Sequence, residues 1–419
     1  MMRKVTERAK MMRNVPQYVI DHAPLLHLYG DDEYRPSSIA QHIENTHAEV
    51  DFQRVCMVAT GAPPLLSLSR LDRLNPLGTS VYLTSNQDIT AKPMPEFLLG
   101  LNPDVDGKIA DAITGVVVVV EKGNGVVDAF YFYFFSYNWG GVVLEQQLGN
   151  HVGDWEHNMI RFRNGQPEAM WLSQHANGEA FTFKCLQKDR SGKRPICYVA
   201  NGTHALYATP GLHDHTIPNV NLASPLLLVD NTEAGPLFDP LASSYYYSYV
   251  LPVKPYEPVT DGFLPLKPTA DAPNGFLRYT GRWGDEAYPS TDARQTAFFG
   301  NNKFVSGPTG PLYKQLMRQQ VWPENAFSEW QTLRTSLRPG LLQYLRDLLR
   351  EKRGQRKVEL RRTADGKMVN VVRYRGRVVK LGEDKEKKDE EDREKKARKA
   401  RKGKGGHLRM GRSPCEAAK

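Results

Sequence analysis

Apolar positions along this chain occur in alternating runs or short solid blocks far more often than at helical spacing. Gly115-Val-Val-Val-Val-Val120 is a continuous apolar block, the pattern of a buried strand. Lys122-Gly-Asn-Gly125 follows with hairpin-turn chemistry. Residues 126–139 then carry an aromatic run, Phe130 to Phe135, whose side chains favour a pleated, half-buried surface. Further strands are expected at 155–162, 168–173, 180–186, 195–200 and 226–230, with a short one at 55–60. Asn164-Gly165 separates two of them and marks a tight hairpin. Helical signals are few. Pro36-Ser-Ser-Ile-Ala-Gln-His-Ile43 opens with helix-start chemistry. Leu341, Leu342, Leu345, Leu348 and Leu349 recur at helical spacing and predict an amphipathic helix over 339–352.

Short strands separated by turns every ten to fifteen residues predict a mainly β protein. The expected architecture is an antiparallel β-sandwich with short helices and long ordered loops. Residues 245–310 are rich in Tyr, Pro and Gly. Within them, Gly281-Arg-Trp-Gly-Asp285 and Ser306-Gly-Pro-Thr-Gly310 read as ordered loops of the kind that rim a site. Four segments follow. Residues 1–14 are basic, 15–325 form the sandwich, and 326–382 hold a basic helix and a hairpin around Ala364-Asp-Gly366. Residues 383–419 are a charged tail unable to bury a core, and are expected to be disordered.

Charge changes this picture in one respect. From Arg346 to Lys419 there are 27 lysines and arginines against 13 aspartates and glutamates, a net of +14 in a chain whose total is +9. The first 345 residues therefore carry −5, and affinity for anionic membrane or nucleic acid belongs to the tail alone. That tail has no stacking aromatics between 383 and 404, so base-specific reading is not expected. Cys56, Cys185, Cys197 and Cys415 lack metal-ligand spacing, and Cys185 and Cys197 read as buried thiols. No apolar run is long enough for a transmembrane helix, and the basic start lacks the apolar core of a secretory signal.

The chemistry concentrates in Gly149-Asn-His-Val-Gly-Asp-Trp-Glu-His157. If extended, Asp154 and Glu156 share a face with Asn158, while Trp155 and His157 point the other way as packing. Adjacent carboxylates repel, and a divalent cation is the simplest compensation. Six of the eleven histidines lie between 151 and 215. Beyond His151 and His157 they are His175 in Ser-Gln-His, His204 in Asn-Gly-Thr-His, and the pair His213 and His215. Histidines beside Gly and Asn also commonly sit in turns, so both readings stand. Asp285 is a further candidate.

Residues 128–235 resemble the vacuolar protein sorting-associated protein 62 family, fungal type. The resemblance rests on Tyr131 to Gly141, Leu148 to Ile160, Leu172 to Ala176, Asn201 to Ala205 and Pro210 to His215. It extends over about 15–320 and implies a role in protein delivery to the vacuole. A remoter likeness is to the necrosis- and ethylene-inducing-like proteins, whose Gly-His-Arg-His-Asp-Trp-Glu signature is in step with His151, Asp154, Trp155 and Glu156. That likeness implies a cation held by His151, Asp154 and Glu156 in a sandwich that binds a membrane head group, with His175 nearby. The second signature histidine is Gly153 in this chain.

Together these readings imply a non-catalytic module that uses Ca, Mg or Mn rather than Zn to bind a lipid or glycan head group. His175, His204, His213, His215 and Asp285 would supply secondary polar contacts. The expected location is the cytoplasm or the periphery of a vacuolar or endosomal membrane. The alternative is a metal-dependent hydrolase using the same histidines, although His-Glu-x-x-His and Gly-x-Ser-x-Gly are both absent.

Overall fold

β-Branched residues stiffen the backbone toward extended geometry, and the five valines 116–120 lie in a strand, Gly115–Gly123. Gly123, Asn124 and Gly125 all take positive φ, a conformation that Gly and Asn tolerate, and they reverse the chain. The strand Val126–Asn138 returns antiparallel, with Val116 opposite Phe132 and Val120 opposite Asp128. In this computed structural model the described residues are 13–56, 66–214, 229–250 and 262–337. Three further strands, Lys357–Arg362, Met368–Tyr374 and Arg377–Lys380, are described by backbone alone. The chain divides into two compact units, Met1–Gln343 and Tyr344–Lys419.

In the first unit an eight-stranded sheet forms the centre. Its order is Phe263–Pro265, Ser244–Tyr249, Gly115–Gly123, Val126–Asn138, His151–Arg163, Gln166–Gln174, Asn177–Thr182 and Leu333–Arg334. The pairings are antiparallel except two. Ser244–Tyr249 runs parallel to Gly115–Gly123, and Leu333–Arg334 runs parallel to Asn177–Thr182. The last of these strands lies beyond residue 325, where the sequence pattern changes character. Asn164 and Gly165, both at positive φ, make the expected tight turn between His151–Arg163 and Gln166–Gln174.

A four-stranded sheet covers one face of the central sheet. It contains Leu206–Tyr207, Ile196–Val199, Leu25–His27 and Leu237–Phe238. Tyr131, Tyr133, Phe135, Ile160 and Phe162 meet Leu26, Cys197, Val199, Leu206 and Phe238 between the two sheets. This is the expected sandwich. The aromatic run differs from expectation, because it is buried on both faces rather than half-buried. Phe130, Phe132 and Phe134 pack outward from the sandwich against Ile39, Ile43, Leu71, Leu83, Phe276 and Trp283. Two short helices, Ile39–Glu44 and Gly275–Arg278, the 3₁₀ helix Leu71–Leu77, the loop carrying Trp283 and a small sheet form this second cover.

Other boundaries shift for local reasons. The early helix spans Ile39–Glu44, capped by Ser38, whose hydroxyl accepts from the Gln41 amide. The strand expected at 55–60 does not begin there. Thr46–Val50 pairs with Tyr82–Ser85 instead, and residues 57–60 lie outside the described residues. The strand expected over 180–186 ends at Thr182 and gives way to a 3₁₀ turn, Phe183–Cys185. Cys56, Cys185 and Cys197 are free thiols; Cys185 is half-buried, Cys197 fully buried and Cys56 exposed. In the second unit, the hairpin expected around 364–366 is three-stranded, with Lys357–Arg362, Met368–Tyr374 and Arg377–Lys380 antiparallel in sequence order. The helix expected over 339–352 and the tail 383–419 lie outside the described residues. Among the described residues, no helix is long and apolar enough to cross a membrane.

Candidate functional site

The strand His151–Arg163 passes through the middle of the sheet and carries different chemistry on its two faces. Its partner across the ladder fixes which residues go where. Asp154 lies opposite Phe135 and Glu156 opposite Tyr133, so both carboxylates face the sandwich interior near one end. Asn158 continues the row and accepts from the Tyr133 hydroxyl at 2.6 Å. Trp155 and His157 point to the other face, where His157 stacks 5.3 Å from Phe132. The expected division of these five side chains between the two faces is met.

Within this strand, two residues from its start, Gly153 takes φ +69°. A Cβ there would lie 1.9 Å from the carbonyl oxygen of Trp283. The loop 281–285 therefore closes directly onto the strand, and no histidine fits where the necrosis-inducing signature has its second one. Gly284 is equally tight against the Val152 carbonyl.

Two histidine–carboxylate pairs form on the sandwich side. His204 Nδ1 donates to Asp154 Oδ2 at 3.0 Å, and its ring stacks flat on Phe135, with centroids 3.7 Å apart. His204 Nε2 has no hydrogen-bond partner and lies 3.9 Å from Asp32 Oδ2. His175 Nε2 donates to Asp230 Oδ2 at 2.6 Å. Asp230 also accepts from Thr203 Oγ1 at 2.7 Å and Tyr207 Oη at 2.6 Å. His213 is joined to Thr232 Oγ1 at 3.0 Å and stacks on Tyr207, the residue that donates to Asp230. His175 and His204 both adopt positive φ, so each is a turn residue and a carboxylate partner at once.

Glu156 accepts a hydrogen bond from Ser173 Oγ. Burial, together with the neighbouring Asp154 charge, holds its carboxyl well above the ordinary range, toward the neutral form. His151 is half-buried, with Nδ1 donating to the Gly153 carbonyl at 2.8 Å. Burial pulls its imidazole below the usual value, although Asp154 opposes that shift. Burial likewise lowers His213.

The structure thus gathers His151, Asp154, Glu156, His175, His204 and His213 at one end of the sandwich. His215 lies outside the described residues. Among the described residues, no group of three or more His, Cys, Asp or Glu side chains is arranged to hold a metal ion. Asp154 is engaged by His204 and Glu156 by Ser173, which separates the three expected ligands into different hydrogen bonds. Asp285 does not join the cluster. It accepts from the Ser85 amide at 2.7 Å and from Tyr288 Oη at 2.6 Å, beside a cavity of ≈ 470 Å³ lined in part by Glu49, Asp88, Asp292 and Arg294. Sequence reasoning missed Asp32 and Asp230. Neither lies in a motif, and only folding brings them to His204 and His175.

A family model described as Vacuolar protein sorting-associated protein 62 matches residues 137–217, the stretch containing all six clustered residues. Over 347 residues the chain is 35% identical to Vacuolar protein sorting-associated protein 62 of Saccharomyces cerevisiae, covering 75% of this chain and 70% of that protein. The chain belongs to the vacuolar protein sorting-associated protein 62 family. A second family relative from the same yeast, Putative vacuolar protein sorting-associated protein TDA6, is 34% identical over 330 residues, covering 73% of this chain and 68% of its own length. No solved structure matches the chain.

Proposed function

We propose that the chain takes part in vacuolar protein sorting as a non-catalytic binding module. Its histidine–carboxylate cluster would take a hydroxyl-rich lipid or glycan head group together with a divalent cation, at the periphery of a vacuolar or endosomal membrane. The names of the yeast relatives support the sorting role. The observation that carries the site is the pair Asp154 and Glu156, aligned on one buried face, with Glu156 pushed toward its neutral form by burial and its neighbour. A hard cation would relieve that repulsion. Because Ca²⁺ takes six to eight oxygens, a cluster that offers two carboxylates and an imidazole would need oxygens from the ligand to complete the shell. Cation and head group would therefore bind together.

The test is calorimetry on the full chain with Ca²⁺, Mg²⁺ and Mn²⁺, each with and without a free sugar or vesicles bearing a glycosylated lipid. Heat is expected only when cation and head group are both present, and Asp154→Asn should abolish it. Absence of any cation-dependent heat in the wild type would end this reading.

One observation favours a second reading. His204 is oriented by Asp154 and leaves Nε2 without a partner, the arrangement of a general base in a hydrolase. Its complete burial and the nearby Asp32 argue against substrate access. Hydrolysis of ester or phosphoester substrates that is lost in His204→Gln would support it.

A further inference from the structure

The opposite face of the same strand holds a set of buried donors without acceptors. Arg318 is 4% exposed, and none of its three guanidinium nitrogens has a hydrogen-bond partner. The guanidinium carbon lies 5.0 Å from the centre of the Phe130 ring and 5.7 Å from that of Trp171. Both nitrogens of His157 are also without partners, and its ring stacks on Phe132 and Phe130. The indole nitrogen of Trp171 is a third orphan.

Sheet register places these groups together. Phe130 and Trp171 both lie directly across from Met159, on its two sides, and His157 is two residues along on the same face. Arg318 thus packs over aromatic rings, beside the buried and unpartnered nitrogens of His157 and Trp171. A buried guanidinium normally finds acceptors for its planar fork, and a native orphan of this kind calls for an unseen occupant.

Local charge balance points to the sign of that occupant. Asp128 acts on Arg318 electrostatically, but both its oxygens are already engaged by Arg161, at 2.7 and 2.8 Å. Lys122 Nζ lies 3.7 Å from the same carboxylate. Three cations therefore gather around one buried negative charge. Burial pulls Arg318 down to about 9 and Lys122 down to about 8, against the opposing pull of Asp128.

We propose that Arg318, His157 and Trp171 frame a buried binding site for one small oxyanion, a phosphate or a carboxylate. The guanidinium fork donates to two of the anion's oxygens in bidentate fashion, and the imidazole and indole N–H groups donate to the rest. The site lies on the other face of the sheet from the histidine–carboxylate cluster, so its failure would leave the reading of that cluster untouched.

The experiment is thermal unfolding and calorimetry of the full chain with inorganic phosphate, with acetate, and with chloride at matched ionic strength. A crystal structure grown in the better of the two oxyanions completes it. A saturable stabilisation by phosphate or acetate, absent with chloride, is expected, and the better ligand identifies the source. Arg318→Met should abolish it. His157→Phe keeps the aromatic stack and should weaken binding about tenfold, which preserves the test if the arginine variant does not fold. No saturable response, or density at the guanidinium explained by water alone, overturns the proposal.

Discussion

The imidazole of His204 and the carboxylate of Asp154 are joined at 3.0 Å across fifty residues of sequence, with both groups buried. Removing the histidine would leave Asp154 in the sandwich interior with its charge unopposed. His204→Ala is therefore expected to destabilise the fold by about 3–5 kcal/mol, the range for breaking a buried pair from one side. Chemical denaturation measures this directly, and a loss below about 1 kcal/mol would show that Asp154 is solvated or paired elsewhere.

Gly153 is required by contact as well as by φ. Alanine there would place a methyl group 1.9 Å from the Trp283 carbonyl and adopt an unfavourable left-handed conformation. A loss of at least about 2 kcal/mol is expected for Gly153→Ala. Gly192 is the control, since its φ is +72° but nothing lies within 4 Å of the added Cβ. Its alanine variant should lose only the conformational part.

Glu156 sets a pH dependence of defined sign. Its folded value lies above the unfolded one, so between the two the folded chain holds more protons than the unfolded chain. Stability contributed by the protonated carboxyl is thus present below the unfolded value of about 4.3 and is lost as pH rises through the folded value. Glu156→Gln should remove this loss, so its stability relative to wild type should improve on going from acid to neutral pH. Parallel stability–pH curves for the two proteins would contradict it.

His42 gives the opposite dependence. It is fully buried between Ser136 Oγ and the Trp283 carbonyl, and burial pulls its imidazole down to about 4. The unfolded histidine takes up its proton near 6.5, so stability from the neutral ring is present above that value and is lost as pH falls through about 4. An NMR titration should show a neutral His42 ring down to that region. A midpoint near 6.5 would show that the ring is hydrated.

Asp128 is fully buried and held by Arg161 through two hydrogen bonds. Asp128→Asn would leave Arg161, Lys122 and Arg318 without their shared carboxylate. A loss of about 3–5 kcal/mol is expected. If the oxyanion site exists, part of that loss should be recovered in phosphate or acetate but not in chloride.

Much of the site could be read from the chain because it depends on local periodicity. A strand alternates its side chains, so once residues 151–163 are extended, Asp154, Glu156 and Asn158 must share a face and Trp155 and His157 must take the other. The turns at Asn124-Gly125 and Asn164-Gly165 follow equally from residues that accept positive φ. The burial of Phe130 to Phe135 on both faces could not be read this way. Alternating aromatics say nothing about how many layers will cover a sheet.

The β-rich class, the central hairpins and the two faces of the site strand are legible along the chain, because each rests on chemistry within a few residues. The partners come from the three-dimensional packing. It gave His204 to Asp154 and His175 to Asp230, turned Ser173 onto Glu156, and placed Asp285 at a separate cavity. It also left Arg318 buried over Phe130 without an acceptor. Contacts between distant residues depend on how whole layers pack, and no periodicity along the chain encodes which carboxylate a given histidine will meet.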